Sequence, residues 1–143
     1  MEQRLIRPKD MKFVFDLVKD DCYRRFSGEC SLEQKSSKSS NLESEASYCG
    51  EWSYCRKLHL AVVDGKVDGQ KESEDIDITE YACGHHAIRN GQHRICICKR
   101  IGLDIYSDFR VDHSSDCPVC RAKKRSFTYR IKAILGLNDH FIY

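Results

Sequence analysis

The chain has 143 residues, 41% of them hydrophobic and 32% charged, with nine cysteines and a formal net charge of +2. That length suits one ordinary domain, or a small domain with an arm, and so lean a core calls for something besides burial to stabilise it. The longest aliphatic stretch, Leu60–Val63, is far too short to cross a bilayer, and the charge-rich first ten residues hold no apolar signal segment. An intracellular protein, cytoplasmic or nuclear, with no membrane partner is expected. In such a reducing compartment an odd number of cysteines favours metal ligation over a disulfide framework.

Taken in chain order, Pro8 and Asp10 suit the entry to a helix whose apolar positions are Met11, Val14, Phe15, Val18 and Cys22. Cys22 is then the last core position of that helix. Residues 1–30 are read as an N-terminal helical arm and residues 31–48, with seven serines and five charges, as a flexible linker. Leu58, Leu60 and Val62 alternate, as do Ile76 and Ile78, so both segments are expected as half-buried strands. The two Asp-Gly pairs between them predict a hairpin with a long exposed loop. A third strand is expected through Arg94–Cys98, and a basic C-terminal helix from about Arg121 to Gly136, with Phe127, Ile131 and Ile134 or Leu135 on one side. The expected class is α+β: a small zinc-stabilised domain with a short antiparallel sheet, an N-terminal helix and a basic C-terminal helix.

From Cys49 onward the cysteines and one histidine fall into four close pairs: Cys49 with Cys55, Cys83 with His85, Cys96 with Cys98, and Cys117 with Cys120. Eight sulfur and nitrogen donors suffice for two tetrahedral zinc ions, and a close pair supplies two donors from one turn at little entropic cost. Cys117-Pro118-Val119-Cys120 is the strongest pair, because C-x2-C on a turn aims both thiolates at one ion. Cys96 and Cys98 would equally well bury one face of a strand as free thiols. His86, His93 and His113 are alternatives to His85, whereas His59 and His140 carry no such signal. The spacing that zinc deaminases need is missing, since His85 is followed by His86 and Ala87 rather than a glutamate at the right offset. No Gly-rich phosphate loop or nucleophile motif occurs, and no catalytic residue is assigned.

Cys83-Gly84-His85 followed downstream by Cys117-Pro118-Val119-Cys120-Arg121 resembles the second half of a RING-type zinc domain, over residues 49–121. That resemblance implies a cross-brace, with Cys49, Cys55, Cys96 and Cys98 on one zinc and Cys83, His85, Cys117 and Cys120 on the other. It implies recruitment of protein partners, a ubiquitin-conjugating enzyme among them, with Arg121 where many ubiquitin ligases of the family carry a basic ubiquitin contact. Departures from the family pattern are the five residues between Cys49 and Cys55, the ten between His85 and Cys96, and the single one between Cys96 and Cys98.

Beyond the zinc ligands, residues 122–143 form the expected basic helix and tail. Arg121, Lys123, Lys124, Arg125, Arg130 and Lys132 place six cations within twelve residues, interleaved with Phe127 and Tyr129. Such a segment can hold phosphates while aromatic rings stack on bases, or it can be a solvated helix face whose aromatics belong to the core. Small cysteine-rich RNA-binding proteins of plant viruses, some of them silencing suppressors, are similar in this general makeup. Nucleic acid is accordingly the alternative partner.

Overall fold

A computed structural model describes residues 2–16, 21–33, 51–64, 76–135 and 140–142. The fold is α+β, and by contact it divides into two units, one of Met1–Asp16 with Gly69–Tyr143 and one of Leu17–Asp68. The first unit is built on a mixed sheet of six described strands: β1 (Glu2–Ile6), β2 (Phe13–Asp16), β3 (Asp77–Tyr81), β4 (His86–Ile88), β5 (Ile105–Asp112) and β6 (His140–Ile142). Their spatial order is β1-β5-β3-β4-β2-β6. The pairs β1/β5, β3/β4 and β2/β6 are antiparallel, while β3/β5 and β2/β4 are parallel. The sheet is thus mixed rather than the simple antiparallel one expected, and the N-terminal segment belongs to it instead of forming a separate arm.

The helix expected over Met11–Cys22 is replaced, in its described part, by β2. Phe13 and Phe15 are buried on one face of the sheet and Val14 on the other. A strand covered on both faces shows a continuous apolar run rather than alternation, so Val14 and Phe15 match a helical period by coincidence. His86 of β4 sits between Phe13 and Phe109, 5.8 Å from each ring centroid. The helix α3 (Gln92–Ile101) lies on this Phe13 side, where Lys99 Nζ is 5.9 Å from the Phe13 ring centroid. The other side of the sheet carries Val14, Tyr81 and Ala87, which pack with Cys117 and Val119 at the start of α4 (Pro118–Arg125).

The segment Arg94–Cys98 is therefore a helix and not the third strand. Gly91 and Gly102, both at positive φ, bracket α3, and the N–H groups of Gly102 and Leu103 both reach the Cys98 carbonyl. That is the left-handed C-terminal cap glycine allows. A Cβ on Gly91 would come within 2.9 Å of Ile76 Cγ1, so this corner also needs the missing side chain. Lys99 pins α3 to the turn between β1 and β2 by donating to the carbonyls of Met11 at 2.6 Å and Pro8 at 3.2 Å. The basic C-terminal helix is present in two pieces, α4 and α5 (Phe127–Ile134), separated at Ser126, whose Oγ accepts from the Tyr129 N–H at 3.2 Å.

The second unit contains a single turn of helix, α1 (Tyr23–Ser27), closed by Gly28, and α2 (Trp52–Val63). Leu58, Leu60 and Val62 thus lie on a helix and not on a strand. Arg56, Lys57, Leu58, Leu60 and Ala61 are contiguous or nearly so and all favour helix, which outweighs a three-residue alternation. Arg56 of α2 donates to the Ser31 carbonyl at 2.8 Å and stacks over Trp52. Cys30 is buried and Cys22 half-buried in this unit. The expected hairpin loop and most of the serine-rich segment lie outside the described residues. No described helix is long and apolar enough to cross a membrane.

Because the Lys99 ammonium is held by main-chain carbonyls, Lys99→Met should cost about 1–3 kcal/mol, read as a lowered urea midpoint with unchanged slope.

Candidate metal centre

β3 and β5 run parallel as neighbours, Tyr81 opposite Asp112, so both leave the sheet at the same end. The turn from β3 into β4 carries Cys83 and His85; the turn from β5 into α4 carries Cys117. A hydrogen bond from the Ala82 N–H to the Ser115 carbonyl, 3.0 Å, joins the two turns. Gly84, at φ +73, makes the first turn tight enough for Cys83 and His85 to face the same way. Asp112 shapes the second by accepting from Ser114 and from the Ser115 hydroxyl. Cys117 is the N-cap of α4, its sulfur accepting the Cys120 N–H at 3.4 Å, with Pro118 in the first turn where its missing N–H costs nothing.

These turns bring the side chains of Cys83, His85, Cys117 and Cys120 together, with all four ligand atoms within 4.8 Å of one another. His85 Nδ1 is 3.4 Å from the Cys83 sulfur, 3.5 Å from that of Cys117 and 3.3 Å from that of Cys120. This cluster can hold a metal ion. Among the described residues it is the one group of metal-ligating side chains so arranged.

The electrostatics suit such an ion. Burial opposes ionisation of Cys83, but hydrogen bonds from the Cys117 and His85 main chain outweigh it and hold this thiol below its usual range. Burial pushes Cys117 up to about 12 and raises Cys120, and each is raised further by neighbouring thiols. Three sulfurs this close cannot all be thiolates without a cation between them. Burial, then the charges of Lys12 and Lys123, lowers His85, so the ring stays neutral and its nitrogen can donate a lone pair.

The other sequence candidates fare differently. Cys96 and Cys98 would share a face on a strand; on α3, residues two apart are about 200° apart around the axis and cannot both reach one ion. Cys98 is fully buried and its thiol is pushed up to about 11 by burial, which makes it a core residue. Cys55 lies on α2, half-buried, and Cys49 falls outside the described residues; among the described residues no group of three or more donors forms around the first half of the expected cross-brace. His86 is enclosed by two phenylalanines, and His93 lies on α3. His113 is exposed, 3.8 Å from a Glu80 carboxylate oxygen. Tyr129, read from the sequence as either a base-stacking or a core aromatic, packs against the cluster from α5.

Compared with protein-family models, curated proteins and solved structures, the chain matches none. The chemistry of the donor set and the surface beside it therefore carry the functional reading.

A neutral thiol sealed in the core reacts only on unfolding. Cys98 should stay unmodified by iodoacetamide at mildly alkaline pH in the folded protein and alkylate fully in denaturant, as read by peptide mass spectrometry.

Proposed function

We propose that the protein is a zinc-stabilised binding module that engages nucleic acid through α4 and α5. Zinc is the ion favoured by three sulfurs and one imidazole nitrogen. Bond lengths of about 2.3 Å to sulfur and about 2.0–2.1 Å to nitrogen give a tetrahedron with sulfur–nitrogen edges of roughly 3.6 Å, close to the 3.3–3.5 Å separations here. Four protein donors complete the coordination and leave no open position for water, which is the pattern of a structural site and not of a catalytic one. When bound, the ion supplies charge neutralisation and a crosslink between the two turns.

The observation that carries the reading is that a metal donor and the N-cap of α4 are the same residue, Cys117. An ion there would anchor to the sheet the helical segment that displays Arg121, Lys123, Lys124, Arg125, Arg130 and Lys132, all exposed. Fixed cations at helical spacing suit a phosphate backbone better than the same charges on a loose tail, because their ordering is complete before binding. Lys124 is partly neutralised by an ion pair with Asp116. The others project from the same two helices.

A second reading, recruitment of a protein partner such as a ubiquitin-conjugating enzyme, draws its support from Arg121, exposed directly after the last donor. The two readings place their weight on different side chains, and this separates them by experiment.

Structural zinc contributes roughly 10–16 kcal/mol of apparent binding free energy in small peptides, more than a typical domain's stability. A strong chelator, or Cys117→Ser, should therefore abolish the cooperative unfolding transition of the sheet unit, and native mass spectrometry should show one zinc released with it.

Replacing Lys123, Lys124 and Arg125 by Ala should lower the salt slope of nucleic-acid binding by roughly 0.7 for each single-strand phosphate no longer neutralised. Lys124→Ala alone should change it least, because of Asp116. Under the partner-recruitment reading the triple variant behaves as wild type, and Arg121→Ala instead abolishes discharge of a ubiquitin-loaded conjugating enzyme.

A further inference from the structure

The helix α5 presents an apolar face to solvent. Phe127 is 74% exposed, Ile134 84% and Leu135 64%, with Ile131 at 43% beside them. These positions are spaced i, i+4, i+7 and i+8, so they share one side of the helix. Tyr129 falls on the opposite side and packs against the cluster of Val14, Cys117 and Val119. The two aromatic residues of the tail thus have different fates: one is built into the body, and the other stands out from it.

Phe127 stands where the two helices meet. Arg130, one turn along, donates from Nε to the Lys123 carbonyl at 2.7 Å across the Ser126 break. That bond ties α5 back to the last turn of α4 and leaves the Phe127 ring in solvent. Cations and apolar surface are also segregated along the chain. The exposed residues of α4 are Arg121, Lys123, Lys124 and Arg125, with no large apolar side chain among them, whereas α5 combines its stripe with Arg130 and Lys132. A duplex offers phosphates and groove edges but hides its base faces in its own stack, so the stripe would have nothing to bind. An unpaired strand offers both at once: phosphates for α4, and base faces for Phe127 and the aliphatic side chains beyond it. An anionic lipid surface would need the cations and the apolar stripe in one plane, and here four of the six cations precede the stripe.

We infer that the nucleic acid is single-stranded, with an unpaired base stacked on Phe127 while the cations of α4 hold the adjoining backbone. This inference rests on the nucleic-acid reading above and adds to it the class of strand and the residue that selects it.

Fluorescence anisotropy with the zinc-loaded full chain tests it, using a labelled mixed-sequence single-stranded RNA, the same RNA paired with its complement, and phosphatidylserine vesicles as a third probe. Wild type should bind the single strand more tightly than the duplex. Phe127→Ala should weaken single-strand binding about 5- to 150-fold, in proportion to the removal of one base stack, and should move duplex binding by less than about twofold. Phe127→Trp should restore the single-strand affinity. Zinc content and the unfolding midpoint check that Phe127→Ala is folded. If both nucleic acids bind equally, or Phe127→Ala weakens both alike or neither, the inference fails and the nucleic-acid reading stands. If wild type binds neither nucleic acid at about 50 mM salt, both fail. Tighter binding to the vesicles than to the single strand, abolished in Phe127→Ala, would overturn the inference in favour of a membrane surface.

Discussion

The parallel pairing of β3 with β5 is the constraint on which the rest of the molecule depends. Parallel neighbours must leave a sheet at the same end, so the turn after Tyr81 and the turn after Asp112 are forced together although some thirty residues separate them in the chain. Between the two strands the chain makes β4 and then α3, which crosses on the Phe13 side of the sheet. The turn after β5 passes to the opposite side, where α4 begins. The donors of the metal centre are consequences of that path: two come from the first turn, one from the end of the second, and one from the first turn of the helix that follows.

The centre is in turn an electrostatic constraint on the fold. Cys117 is wholly buried, its sulfur already committed to the Cys120 N–H, and it lies beside two other thiols and a neutral imidazole. Such a group of donors is strained if several thiols ionise, and relaxed if a cation sits among them. The apolar contacts of Val14, Ala87 and Tyr129 exclude water from one side of it and lower the local dielectric. His86, next in sequence to His85, follows the reverse logic: its ring is a packing element between Phe13 and Phe109, and burial keeps it neutral.

The outward face of α4 and α5 shows how one short segment can serve the interior and the surface at once. Val119 and Tyr129 turn inward to the sheet. The cations and the stripe from Phe127 to Leu135 turn outward. Ser126 makes this division possible, since its cap ends one helix, starts the next and resets the angle at which side chains leave the axis.

Cys83-Gly84-His85 and Cys117-Pro118-Val119-Cys120 were legible as donors in the sequence because each pair is held by local turn chemistry: a glycine at positive φ, a proline at the first helical position, and a sulfur that caps its own helix. The basic C-terminal helix was legible for the same reason, as a property of nearby residues. The α+β class followed from the mixture of signals. What tertiary structure alone decided was the environment of each apolar run. Phe13–Phe15 is a strand because both faces of the sheet at that point are covered, while Arg94–Cys98 is a helix whose buried side packs on the sheet. Once that segment is helical, Cys96 and Cys98 point apart, and their alternation in sequence loses its meaning for a metal. Tyr129 and Phe127, two residues apart in one helix, likewise could not be told apart by pattern, since only the position of the helix against the sheet determines which side is buried.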